Sequence, residues 1–115
     1  MGRMAELIPE DAKLVVLARG TRARTGAPSG AALRDLDGRT YAAAEVGLPS
    51  LRVSAIGVCL AMALSSGAKG AEALVLLGAD SVADADLAAL REFAGEGVPV
   101  HLGDARGNVA GTVTS

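Results

Sequence analysis

The hydrophobic positions of this chain switch between helical and strand-like spacing along its length. Ala12, Val15, Val16 and Arg19 fall at helical spacing behind Pro9-Glu10-Asp11, where a proline and two carboxylates suit a helix N-terminus. They predict a helix from Pro9 to about Arg24, broken by Gly26-Ala27-Pro28-Ser29-Gly30. Ala31 to Arg34 then reads as a strand and Arg39 to Val46 as its return, joined at Asp35-Leu36-Asp37-Gly38, where Asp-Gly is a hairpin signal. Gly47 to Ser50 is predicted as loop, because Pro49 disfavours helix in Leu48. Leu51 to Ser66 is apolar on nearly every side (Val53, Ile56, Leu60, Ala63 and Leu64, with Val58 and Met62) and predicts a helix buried on more than one face, ended by Gly67 and Gly70. Ala73 to Gly78 is continuously apolar, as in the centre of a covered sheet. Ser81-Val82-Ala83-Asp84 has capping-box form and predicts a helix to about Phe93, closed by Gly95-Glu96-Gly97. Val98 to Leu102, a turn at Asp104 to Gly107, and Asn108 to Val113 supply two more strands. The order α-β-β-α-β-α-β-β predicts an α/β fold in three layers, a mixed five-stranded sheet with helices on its faces.

Composition changes that picture in one respect. The 115 residues suit a single domain spanning 1–115. However, 24 are alanine and 15 glycine, and Tyr41 and Phe93 are the only aromatics. A core of such small side chains buries little area per residue, so a partner subunit is expected to supply part of the burial. The net charge of −2 gives no reason to expect nucleic acid or a membrane surface as partner. The run from Val58 to Leu64 falls far short of the roughly 20 apolar residues that cross a bilayer. Met1 to Glu10 has no apolar core of a secretory signal, and Cys59 has no second cysteine to pair with in the chain; both fit the cytoplasm.

The residues available for chemistry are few. One cysteine and one histidine cannot assemble an ordinary structural zinc site in one chain. Cys59, inside an apolar run, reads as a small buried hydrophobe, and His101, near a strand end, as a satisfied or exposed imidazole. The loop from Gly26 to Gly30 leads into a strand and lacks the Lys-Ser/Thr of a phosphate loop. Asp80, Asp84 and Asp86 could approach a divalent cation, but they read better as complements to a helix dipole. Arg3, Arg19, Arg22 and Arg24 read as a solvated helix C-terminus rather than a nucleic-acid site. Ser54 is a potential nucleophile with no base nearby in sequence, and helix N-capping is its natural role.

Gly30-Ala31-Ala32-Leu33, Asp37-Gly38-Arg39-Thr40-Tyr41, a Pro-Ser loop, a buried helix ending Leu64-Ser65-Ser66-Gly67, and Ala79-Asp80 after the third strand follow one another in order. This series resembles the cytidine deaminase family over about Pro9 to Val113. The resemblance implies a zinc held between two helix N-termini. One helix carries a His or Cys followed two residues later by Glu, and the other carries Pro-Cys-x-x-Cys. Aligned backwards from Ser65-Ser66-Gly67, Ser54 falls on the metal-ligand position and Ile56 on the Glu position, while Ala83 and Asp86 fall where the two cysteines belong. The family's ribose-holding Asn-x-Glu falls at Glu45-Val46-Gly47, and the aromatic expected before the first strand is Ala27.

Alanine ligates nothing, a neutral serine hydroxyl is a poor zinc ligand, and isoleucine moves no proton. The resemblance therefore leads to three expectations. The chain carries no zinc cofactor and is a non-catalytic relative with a structural, regulatory or small-ligand-binding role. Its vestigial pocket involves Ser54, Ile56, Ala83, Asp86, Glu45 and Gly47, where two helix N-termini could receive an anion or a polar ring. It assembles as a homo-oligomer, a dimer or tetramer as in the family, with Gly57, Ala61 and Ser65 as a small-residue stripe along the buried helix. The other reading is a nucleoside deaminase-type hydrolase working through unrecognised groups.

Overall fold

The computed structural model describes residues 7–115. Arg3 of the basic group lies outside them. Helix α1 (Pro9–Thr25) leads into β1 (Gly30–Asp35) and β2 (Thr40–Ala44), then β3 (Val46–Leu48) and β4 (Leu51–Val53). Helix α2 (Ala55–Ser65), β5 (Ala71–Leu77), α3 (Asp84–Ala94), β6 (Pro99–Gly103) and β7 (Val109–Thr114) follow. The main sheet has the order β2-β1-β5-β6-β7, and only β5 and β6 run parallel. It is the mixed five-stranded sheet the pattern predicts, with the apolar β5 at its centre.

Strand periodicity sorts the core into two sides. Ala31, Leu33, Leu74 and Leu76 point to the side covered by α2 and α3, where they meet Ile56, Cys59, Leu60, Ala63 and Leu90. Ala32, Ala73, Val75 and Leu77 point to the other side, against Leu14 and Ala18 of α1. Three layers result.

Helix α1 uses a different face from the one its valines suggest. Its buried positions are Asp11, Leu14, Ala18 and Thr21, while Val16 is well exposed. Leu14 to Leu17 are consecutive apolar residues, so hydrophobicity alone leaves the rotation of the helix open. A polar anchor sets it. Asp11 accepts hydrogen bonds from Arg34 Nη2 of β1 at 2.8 Å and from His101 Nε2 of β6 at 2.9 Å. The Thr112 hydroxyl closes the set, hydrogen-bonded to His101 Nδ1 at 2.8 Å. His101 is thus a satisfied, buried imidazole.

Two boundaries differ from expectation. Helix α2 begins at Ala55 rather than Leu51, because Leu51–Val53 pairs antiparallel with Val46–Leu48. Pro49 and Ser50 form the turn of this small hairpin, and β2 accordingly stops at Ala44 rather than Val46. Helix α3 takes Ala83 as its N-cap rather than Ser81, with no side-chain cap; Asp84 and Asp86 in its first turn complement the dipole. Between β5 and α3, Gly78 adopts φ 89°, and a Cβ there would stand 2.2 Å from Pro28 O. Only glycine lets the loop carrying Ser29 pass so close.

Candidate functional site

The β3–β4 hairpin and the N-termini of α2 and α3 enclose a cavity of about 310 Å³. Ser54, Ile56, Ala83, Asp86, Glu45 and Gly47 all line it. Ser29, Arg52, Leu76, Ala79 and Ser81 line it too, none of which the sequence assigned to the pocket. Arg52 had a usable signal: it sits opposite Gly47 in the hairpin register, but only once the hairpin is recognised. Ser29 reaches the cavity through the tight passage at Gly78, which no local pattern reveals.

Two hydroxyl–carboxylate pairs dominate the polar part of the cavity. The Ser29 hydroxyl donates to Glu45 Oε1 at 2.7 Å, and the Glu45 backbone N–H donates to Ser29 O at 3.2 Å. The Ser54 hydroxyl donates to Asp86 Oδ1 at 2.8 Å, linking the start of α2 to the first turn of α3. Ser54 Oγ also accepts the Gly57 N–H at 2.9 Å, so it is the α2 N-cap. The absence of a side chain on Gly57 makes room for this, since a Cβ would lie 2.9 Å from that oxygen. Gly57 thus packs against Ser54 at the start of α2, while Ala61 and Ser65 line a separate groove on the outer face of the helix. The carboxylate that Ser54 lacks in sequence is supplied in space by Asp86.

Apolar groups complete the enclosure. Ile56, 1% exposed, contributes to the cavity lining while packing in the core with Leu76, which also lines it. A family model described as cytidine deaminase-like matches residues 7–107. The chain belongs to the cytidine deaminase-like family. Among solved structures, cytidine deaminase from Burkholderia pseudomallei superposes with a TM-score of 0.78 at 22% identity, over 89% of this chain and 90% of that one. Cytidine deaminase from Mycobacterium leprae gives 0.74 at 20% identity, over 94% of each chain. At these identities the likeness is one of fold. No curated protein sequence matches.

Membership in the cytidine deaminase-like family makes a zinc fit the relevant question. The cavity lining contains no histidine, cysteine or lysine. Its oxygen donors nearest the two helix N-termini are Ser54 and Asp86, and Asp86 already accepts the Ser54 proton. Ala83 offers no donor atom. No group of three or more His, Cys, Asp or Glu side chains able to hold a metal exists among the described residues. A neutral hydroxyl and one carboxylate do not make a zinc donor set, so no chemistry is routed through a metal here.

The lone thiol lies elsewhere. Cys59 is fully buried on the sheet-facing side of α2, with Sγ 3.6 Å from Tyr41 O. Burial pushes the thiol up to about 12, which leaves almost no thiolate at neutral pH. Native protein is expected to resist iodoacetamide at about pH 8 and to react at the rate of a free thiol once unfolded in urea. Rapid labelling of the folded protein, followed by mass spectrometry, would contradict this.

Proposed function

We propose that this member of the cytidine deaminase-like family has neither zinc nor deaminase activity, and that its cavity serves as a small-ligand site in a self-associated structural or regulatory protein. The observation that carries the reading is Ile56. The residue aligned with the family's proton-shuttling glutamate is an aliphatic side chain, 1% exposed and packed against the sheet. It can neither accept nor donate a proton. The donor chemistry of Ser54, Ala83 and Asp86 supports the loss of zinc from the same site. Purified protein incubated with cytidine, with and without added zinc, is expected to release no ammonia above the blank.

A second reading has one observation in its favour: the Ser54 hydroxyl sits 2.8 Å from the Asp86 carboxylate. That pair could support hydrolysis of a nucleoside-like substrate. Against it, Ser54 Oγ is committed to capping α2, and no imidazole or amine lines the cavity to take its proton. Cytidine turnover that Ser54→Ala abolishes would establish this reading in place of the first.

Self-association is supported by the outer face of α2. The helix buries Ala55, Ile56, Cys59, Leu60 and Ala63 against the sheet. Leu64 and the hairpin residues Leu48 and Leu51 remain 53–56% exposed. Beside them Val58, Ala61, Met62 and Ser65 form an apolar groove with Val46 and Val53. A second copy brings the same patch and can cover it symmetrically. Light scattering is expected to give a multiple of 11.4 kDa. Ala61 is exposed in a single protomer, so Ala61→Glu should leave the fold intact and shift the particle to one chain. A parent protein that already runs as one chain would overturn the proposal. No helix of the described residues is long and apolar enough to cross a membrane, and the lone buried Cys59 accords with a cytoplasmic setting.

A further inference from the structure

We infer that the cavity between the β3–β4 hairpin and the two helix N-termini selects a small cationic or donor-rich ligand, an amidinium or amine on a compact flat body, and discriminates against anions. This rests on the proposed reading of the cavity as a ligand site and names the class of ligand.

The inference follows from where the cavity's protons are. Carboxylates at neutral pH only accept hydrogen bonds, so the Ser29 and Ser54 hydroxyls must each direct their single proton at Glu45 and Asp86. These two hydroxyl donors are thereby spent inside the protein, which leaves Ser81 and Arg52 as the other side-chain donors of the lining. Among the described residues nothing donates to the second oxygen of either carboxylate, Glu45 Oε2 or Asp86 Oδ2. A ligand that reaches these two free acceptors needs donors of its own.

Charge points the same way. Two carboxylates and one guanidinium, Arg52, line the cavity, which leaves one negative charge in excess. Arg52 is exposed on the hairpin and makes no ion pair among the described residues, so neither carboxylate is held in a salt bridge with it. The helix N-termini, which alone would attract an anion, are already matched. The α2 terminus is capped by Ser54 Oγ, and the α3 terminus carries Asp84 and Asp86 in its first turn. Val46 and Val53, with the edges of the buried Ile56 and Leu76, supply the apolar lining beside which a flat body can lie. At about 310 Å³ the space suits a single ring with a charged substituent.

Three probes of one shape and different charge test the inference by calorimetric titration of the full chain at low salt: benzamidinium, benzamide and benzoate. Benzamidinium is expected to bind, benzamide more weakly and benzoate not at all. Glu45→Gln and Asp86→Asn should each weaken benzamidinium about tenfold. Arg52→Gln should tighten it, since it removes the competing cation. All three side chains lie outside the buried core, and circular dichroism melts check that the variants fold; should Asp86→Asn fail to fold, Glu45→Gln and Arg52→Gln carry the test. Equal or tighter binding of benzoate overturns the inference. So does no benzamidinium binding up to about 10 mM, or benzamidinium binding that none of the variants alters. These outcomes are separate from zinc content and cytidine turnover, which test the loss of deaminase activity whatever the cavity binds.

Discussion

Ile56→Glu is expected to destabilise the protein by several kcal/mol, on the order of 3–5, in urea unfolding near neutral pH. The side chain it replaces is 1% exposed and touches the core built from α2, α3 and the sheet. The cavity beside it already holds the carboxylates of Glu45 and Asp86, and its single guanidinium, Arg52, is exposed on the hairpin, so a carboxylate buried at position 56 adds to an excess of negative charge. The introduced group should therefore stay protonated to an unusually high pH. A carboxyl whose pKa is raised on folding costs stability above its unfolded value, so the deficit should shrink as pH falls toward 4 to 5. A variant that unfolds with the parent at pH 7 would mean that water reaches position 56, and that the position remains open to a catalytic group.

Asp11→Ala should cost a comparable amount, about 3–5 kcal/mol. Asp11 sits in the first turn of α1 and is itself buried, and its carboxylate bridges β1 and β6 across the central strand. Burial pulls the Arg34 guanidinium down, but hydrogen bonds and charge from Glu72 and Asp11 outweigh it and hold the group above its ordinary value. Removing Asp11 leaves Arg34 with Glu72 alone, at 2.8 Å on the exposed side, and leaves His101 Nε2 without its acceptor. Arg34 Nη1 already lacks a partner among the described residues, so the loss compounds an existing deficit. A second variant, Leu14→Ala, removes apolar burial from the same helix and calibrates what losing its packing alone costs, about 2–5 kcal/mol. A loss below about 1 kcal/mol for Asp11→Ala would show that packing, not the anchor, sets the rotation of α1.

The contrast between these two residues shows what the sequence could reveal. The burial of Ile56 was legible from the hydrophobicity of the surrounding helix, and its place beside the cavity from the order of motifs from Gly30 to Gly67. Asp11 was legible only as a helix N-terminal acid. Its partners lie 23 and 90 residues away, and no local pattern carries such separations. The β3–β4 hairpin escaped for a related reason. Three-residue strands are too short to show alternation, and Leu51 to Val53 merge with the apolar periodicity of α2 until Ser54 is seen to cap it. The Ser54–Asp86 contact spans 32 residues and joins two helices whose closeness depends on the fold. The central sheet, by contrast, follows directly from β5, an apolar run with polar turns on either side.

Metal analysis of the purified, untagged protein tests the loss of the deaminase site most directly. Protein expressed with zinc in the medium and passed through buffer without chelator is expected to carry less than about 0.1 zinc per chain, because Ser54, Ala83 and Asp86 do not form a donor set that retains the ion. One zinc per chain, retained through gel filtration and lost on Ser54→Ala or Asp86→Ala, would contradict it.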